Sequence, residues 1–438
     1  MSRLLERLAL HRPELRAWTL YDWANSVFMT TVLASLFPIY FRTVAAAELP
    51  PATASARYAL ATSLAVTIVA LISPVCGVLA DYAGKKKAML AAFLGLGVTA
   101  TACMALITRG HWLLAAALFV LGNVGVSASI VFYNSLLPHV AAPEEVDRVS
   151  SAGFALGYLS GGLLLAFNLL MIQKHEAFGI PDKPMAMRLS FLTAAIWWAL
   201  FSIPLFRRVP EPPRIAATPE EADRGPLAIA VRRLRRTLAQ IRLYRDAGLV
   251  LLAFLLYNDG VNTVLRMAAI YGTEIGLGQT SLIAAILLVQ FIGIPFAFLF
   301  GALAGRIGAK RAIFLALAVY VGIAVLGSRM KTNADLFLLA TLVGMVQGGA
   351  QALGRSLFAT MVPRHKSAEM FGFFGVFDKF GGVMGGALFA LMITLTGSSR
   401  PAILALVVFF LAGAAVLSRV DVERGRRVAR EAEAQAAP

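Results

Sequence analysis

Six ionisable side chains stand where the surrounding sequence is otherwise apolar: Asp22, Asp259, Arg266, Arg355, Asp378 and Lys379. Two of the acids carry an amide three residues on. Asp22 is followed by Asn25 in "LYDWANSVF" and Asp259 by Asn262 in "LYNDGVNTVL". On a helix, groups at i and i+3 share a face, so each pair forms one polar patch. Arg266, four residues beyond Asn262, falls on roughly the same face as Asp259. Carboxylate, amide and guanidinium groups in such a setting can bind a proton, a small cation or the charged ends of a solute. A charge at bilayer depth costs about 2.5 kcal/mol or more, so these groups are expected to face a cavity or a partner. Asp378 and Lys379 are neighbours about 100° apart on a helix and cannot both face one way. One is expected to pair with Arg355, and Lys379 to face a cavity and a ligand carboxylate or phosphate.

The elements that hold these groups are spans. Of 438 residues, 59% are hydrophobic and 15% charged, where soluble domains average about 25% charged; mean hydropathy is +0.75. Twelve apolar runs lie near 17–42, 57–80, 88–108, 111–135, 150–172, 188–206, 247–271, 280–303, 311–328, 333–359, 368–395 and 401–418. Each is long enough to cross a bilayer as a helix and too continuous for an alternating barrel strand. The predicted fold is therefore an all-α membrane protein of twelve transmembrane helices.

The net charge of +16 does not point to nucleic acid, because of where the charge sits. With both termini placed in the cytoplasm, 28 of the 40 Lys and Arg fall in cytoplasmic segments, 9 in the opposite loops and 3 inside spans, as the positive-inside rule predicts. The Ala- and Arg-rich composition points to a GC-rich bacterium, and so to a bacterial inner membrane as the expected location. The longest loop, 207–246, separates two sets of six spans and begins with Pro210, Pro212, Pro213 and Pro219. Its second part sets Leu227, Val231, Leu234, Leu238 and Ile241 on one helical face opposite arginines, a pattern suited to an anionic membrane surface. The expected organisation is a bundle over 1–206, a linker over 207–246, a second bundle over 247–419 and a tail over 420–438.

The halves repeat one another. "GVLADYAGKKKAML" from Gly77 aligns with "GALAGRIGAKRAIF" from Gly301, "NSLLPHV" from Asn134 with "RSLFATMVP" from Arg355, and "GYLSGG" from Gly157 with "FDKFGG" from Phe377. Corresponding spans start on the same side, which means two pseudo-symmetric six-helix bundles about an axis along the membrane normal. On that geometry the two polar patches are expected to meet across the axis as walls of a central cavity. In the loop "GVLADYAGKKK", Gly77 permits close helix approach, Asp81 ends a helix beside a turn at Gly84, and Lys85 and Lys86 anchor the turn. The expected role is a cytoplasmic gating latch, which the second copy, with Gly305 in place of Asp81, would lack.

Other chemistry has little to stand on. Cys76 and Cys103 lie in apolar runs and suggest neither a disulfide framework nor a metal site. The five histidines fall in loops or at span ends, so none is expected as a buried proton relay. Trp18, Tyr21, Trp23, Tyr40, Trp112, Trp197, Trp198 and Tyr271 fall near span ends, where an interfacial belt is the ordinary reading. An intramembrane enzyme would need a nucleophile with its base, or a metal cluster. No phosphate-binding loop is present to make ATP the energy source, and no cofactor is implied.

The motif Gly77-x-x-x-Asp81-x-x-Gly84-x-Lys86 resembles the signature loop of the major facilitator superfamily. "YDWANSVF", "QALGRSLFATMVP" and "FGFFGVFDKFGG" are more narrowly similar to the branch containing the fungal vacuolar amino-acid effluxers linked to autophagy and their bacterial relatives. The resemblance implies the major facilitator fold and alternating-access movement of a small-molecule solute, with amino acids the best-known cargo and export the direction. A monomer in the lipid bilayer is expected, and any coupling would use a proton or a sodium ion. Asp259 is the first candidate for a proton carrier, because burial raises a carboxylate's pKa. An uncoupled facilitator, a carrier of sugars, peptides or drug-like compounds, a channel and a non-transporting sensor are the competing expectations.

Overall fold

The computed structural model describes residues 5–6, 8–213, 229, 232–235, 243–381 and 383–436, apart from the side chains of 268–270, 273, 279 and 280. Most of the amphipathic stretch expected over 227–241 lies outside the described residues. Among the described residues, twelve helices are long and apolar enough to cross a membrane. They are α1 (Pro13–Ala45), α2 (Pro51–Ala83), α3 (Lys86–Cys103), α4 (Trp112–Val140), α5 (Val146–Gln173), α6 (Lys183–Arg208), α7 (Arg245–Glu274), α8 (Gln279–Ile307), α9 (Ala309–Gly327), α10 (Asn333–Ala359), α11 (Ser367–Phe380 and Val383–Thr396) and α12 (Ser399–Ala405 and Val407–Ser418). A further helix, α13 (Val422–Ala436), follows.

Most of the helices run beyond the apolar stretches that announced them at one end or both, because a helix does not stop where lipid does. α1 starts at Pro13, whose missing N–H costs nothing in a first turn. It widens into π-helix over Phe28–Leu36 and Phe41–Ala45, on either side of a short α-helical turn containing Pro38. Large apolar side chains stay outside, among them Leu71 at 69% and Leu395 at 71% exposure. In water that surface would drive aggregation; in lipid it is solvated.

The halves α1–α6 and α7–α12 meet along two equivalent sets of helices. α2 packs on α11 as α8 packs on α5, and α4 on α11 as α10 on α5. Glycine sets the closeness. A Cβ at Gly77 would strike the backbone of Ala368 and Glu369, and one at Gly301 would strike Ser151 and approach Arg148.

The described ends of the chain, around Arg12 and Glu433, lie on the face that carries the α2–α3 and α10–α11 connections, the basic face. There Arg12 donates to Glu145 and to the Val140 carbonyl. α13 lies across the same face. Asp246, at the start of α7, accepts from Asp421 N and from Arg424 Nε and Nη2 at 2.6–2.9 Å. The Asp246 carboxylate also pushes the Arg424 pKa upward through that hydrogen bond. Glu433 accepts from Arg364 N at 2.7 Å, so the 420–438 segment is a packed helix over Val422–Ala436.

Candidate functional site

Three polar centres lie between or within the halves. The first is at the basic face. Asp81, 3% exposed, accepts hydrogen bonds from the backbone amides of Ala368 and Glu369 at 3.2 and 2.8 Å. Those are amides of the first turn of α11, which intrahelical bonds leave unsatisfied. The carboxylate also meets the positive end of the helix dipole. Lys86, 3% exposed as well, pairs with Asp81 at 2.9 Å and donates to Ser367 Oγ at 2.6 Å. His139 Nε2, at the end of α4, lies 3.0 Å from Lys86 Nζ. Gly84 makes the turn possible, with φ at +61°. Gly77, Asp81, Gly84 and Lys86 thus come together as the sequence suggested, while Lys85 forms the connection. The partners on α11 and His139 were not foreseen. A histidine expected to be peripheral is half-buried between the bundles.

The second centre lies at the axis. Arg355 on α10, 4% exposed, enters the first half. It pairs with Asp22 at 3.0 Å and donates to Ser150 Oγ at 2.9 Å, Ser150 O at 2.8 Å and Asn134 Oδ1 at 3.2 Å. Its guanidinium lies over the rings of Trp18, Tyr133 and Phe154 at 5.0, 5.7 and 4.6 Å. Desolvated cation–π contacts of this kind are worth up to about 2 kcal/mol. The repeat contains the signal that could have found this cluster. Asn134 and Arg355 are equivalent positions in the two halves, and at the axis equivalent positions touch. Neither Asp378 nor Lys379 is the partner of Arg355, contrary to expectation; the acid that reaches it comes from α1. Ser356 donates to Asp147 of α5 alongside at 2.5 Å.

Five of the eight aromatics expected in an interfacial belt are corrected in the same place, while Trp23, Trp112 and Trp197 stay partly exposed. Trp18, Tyr21, Tyr40 and Trp198 are fully buried and Tyr271 is 1% exposed; Trp18 stacks on Tyr133 with centroids 4.3 Å apart. Their span-end positions suggested lipid headgroups, but all five turn inward to other helices. Asn25 bonds within its own helix, donating to Tyr21 O at 2.7 Å.

The third centre is in the second half, where α11 breaks. Helix ends at Phe380 and resumes at Val383. Asp259 of α7, 0% exposed, accepts from Gly385 N at 2.5 Å, an amide of the resumed segment's first turn. Beside it Asn258 donates to Asp378 Oδ1 at 3.2 Å and accepts from Gln351 Nε2 at 3.0 Å. Lys379 Nζ lies 3.8 Å from Asp378 Oδ2, with side chains 14% and 36% exposed. A Cβ at Gly381 would stand 3.1 Å from the amide nitrogens of both Asn258 and Asn262. Asp259, Asn262, Asp378 and Lys379 are therefore brought together, and Asn258, Gln351 and Thr263 join them. Arg266 is exposed on the far part of α7. The two Asp–Asn patches do not form one wall: Asp22 is engaged by Arg355 and Asp259 by the α11 break.

A family model described as "Vacuole effluxer Atg22 like" matches residues 51–430. An uncharacterized MFS-type transporter of Bacillus subtilis (strain 168), YxiO, is 35% identical over 95% of this chain and 96% of its own length. Autophagy-related protein 22 of Coccidioides immitis (strain RS) is 24% identical over 96% of this chain and 88% of its own length. Among solved structures, the proton:xylose symporter XylE superposes with a TM-score of 0.71 at 14% identity, covering 94% of this chain and 96% of that one. The fucose transporter FucP in its outward conformation gives 0.68 at 12%, covering 94% and 100%. At these identities the structural likeness is one of fold.

Proposed function

This chain belongs to the Atg22-like family of the major facilitator superfamily, and from that premise we propose that it exports a small zwitterionic solute, amino acids first among candidates, by alternating access. The observation that carries the reading is where the halves are bonded. The Asp81–Lys86–α11 centre and the Arg355–Asp22 centre both join them. The first closes the basic face, which on the charge distribution is the cytoplasmic one. These bonds would have to break for the site to open to that side.

In this reading Arg355 is a lock. Its donors are taken by Asp22, Ser150 and Asn134, leaving little for a ligand. Recognition falls to the cluster at the α11 break. Lys379 offers an ammonium, and Asn258 and Asn262 amide N–H groups, to a carboxylate, and Asp378 offers an acceptor to an amino group. Asp259 serves as the proton carrier, and the protein works as a monomer in the bacterial inner membrane with both termini in the cytoplasm.

The test has two stages. Thermal-shift screening of the purified protein against amino acids, peptides and sugars identifies a ligand, since one that favours the native state raises Tm. Counterflow of that ligand, labelled, in proteoliposomes then tests transport. Asp259→Asn is expected to abolish proton-driven uptake while leaving counterflow intact. Undiminished proton-driven uptake in that variant removes Asp259 from the role.

A further inference from the structure

Thr263 lies one helical turn beyond Asp259 on α7, on the same face. It is 0% exposed, and its Oγ1 has no hydrogen-bond partner. Most helical threonines buried in an apolar setting bond back to the carbonyl four residues earlier, as Thr19, Thr101 and Thr341 do here. Leaving such a hydroxyl unpaired costs about 1–3 kcal/mol, so a state in which it is paired would be favoured by that amount. The group it faces is near at hand. A Cβ placed on Gly385 would meet both Thr263 Oγ1 and Asp259 Oδ2. The hydroxyl, the carboxylate and the first turn of the second α11 segment therefore surround one point.

The surroundings favour a proton over a metal cation as the ligand. The Gly385 N–H points at Asp259 Oδ2, and Asn258 and Asn262 present amide nitrogens to the break. Sodium would need about six oxygens, and hard cations are held by oxygen donors. A proton needs one donor oxygen and one acceptor, which Asp259 and Thr263 supply. Among the described residues, the elements packed at this point carry Asp378 and Lys379 on α11, Tyr257 and the exposed Arg266 on α7 itself, and Arg355 on α10, which is turned into the first half. α12 brings Phe409 and Phe410 against the adjacent Gly260.

We propose that Asp259, Thr263 and the start of the second α11 segment form a proton-linked hinge. Ionised, Asp259 caps the segment through Gly385 N and holds the break in α11. When the carboxylate takes up one proton from the aqueous side, the new O–H donates to Thr263 Oγ1. The cap weakens, because a neutral carboxyl is a poorer acceptor than a carboxylate. The second segment is then free to shift relative to Asp378 and Lys379 at the end of the first. Thr263 is thus a positioning residue that accepts the proton's hydrogen bond and favours the protonated form.

The inference rests on the transport reading for its purpose but is tested without it. Amide hydrogen exchange of the peptide over 383–396 is followed in the purified full chain from about pH 5 to about pH 9, corrected for intrinsic exchange. Protection of the segment's first amides is expected to rise with pH along a single titration, and to be flat in Asp259→Asn. Thr263→Val, close in shape and lacking the hydroxyl, is expected to move the midpoint down by roughly 0.5–1 pH unit, the worth of one hydrogen bond to the protonated form. Thr263→Ser is expected to restore it. A flat profile in the unmodified protein, or a Thr263→Val midpoint unmoved or moved upward, overturns the hinge. A flat profile with counterflow retained leaves transport standing. A titrating profile without counterflow upholds the hinge and removes the transport reading.

Discussion

The loop between α2 and α3 and its repeat between α8 and α9 share their packing and differ in their electrostatics. Gly77 lets α2 approach the start of α11, and Gly301 lets α8 approach the start of α5. Lys87 donates to the carbonyls of Phe206 and Val209 at the end of α6, and Lys310 donates to those of Ser418 and Val420 at the end of α12. Only the first copy then sends a carboxylate into the other half. Asp81 caps α11, whereas Gly305 is exposed with nothing within 4 Å of a Cβ built there. The facing first turn of α5 already carries acids of its own, Glu145 and Asp147, the latter bonded to Ser356. The repeat conserves the shape of the interface and confines its charged lock to one side of the axis.

Asp81→Asn breaks that asymmetry with the largest expected effect. It removes the charge that Lys86 pairs with at 3% exposure, and stripping one partner from a buried pair costs about 3–5 kcal/mol. Ser367 and His139 still contact Lys86, so the lower end is expected. The variant should favour the form open at the basic face. Cysteines introduced on the buried surfaces of α2 and α11 should then label faster than in the unmodified protein, with Tm lowered by several degrees. Unchanged labelling would mean that packing alone closes this face.

The shared part of the comparison can be tested by adding one methyl group to each copy. Gly77→Ala drives a Cβ into the Ala368 backbone, which cannot step aside without moving α11. Gly301→Ala meets the Ser151 side chain, with Cβ the nearest atom, and a slight separation of α5 and α8 relieves it. Overpacking of this kind costs about 1–3 kcal/mol. Gly77→Ala is expected near the top of that range and Gly301→Ala near the bottom, read as the difference in Tm between the two purified variants. A larger loss for Gly301→Ala would place the tighter joint in the second pair.

How much of this was legible in the sequence follows the same line between shape and charge. The twelve spans could be read because hydropathy is a local property. The turn between α2 and α3 could be read because a glycine, Gly84, between an aspartate and lysines marks a left-handed helix end. What Asp81 touches could not be read, because backbone amides at a helix start leave no mark in side-chain identity. The Arg355–Asp22 pair joins residues 333 apart, and the alignment that set Arg355 opposite Asn134 was the one available hint of it. The loop copies were aligned with Lys86 against Lys310. In the structure Lys310 does the work of Lys87, because two residues, Gly84 and Lys85, separate α2 from α3 while Gly308 alone separates α8 from α9. The break in α11 was hidden for another reason. Gly381 and Gly382 sit among many glycines, and the extended ψ of Gly381 with the Asp259–Gly385 bond distinguishes a capped interruption from close packing.

Gly305→Asp asks whether the missing carboxylate is all that the second copy lacks, and its expected effect is the smallest. Replacing an exposed helical glycine returns about 0.5–1 kcal/mol of backbone entropy. An acid in the last turn of a helix costs about 0.3–1 kcal/mol against the dipole, so the two nearly offset. A second lock should not form, because Lys310 is engaged with Ser418 and Val420 and the shorter connection brings no counterpart of Lys86 to the interface. Combined with Asp81→Asn, the new acid should leave cysteine labelling at the basic face as fast as in Asp81→Asn alone. Restored protection in the double variant would show that one carboxylate on either side closes the face, and that the asymmetry between the copies lies in that residue rather than in the loop around it.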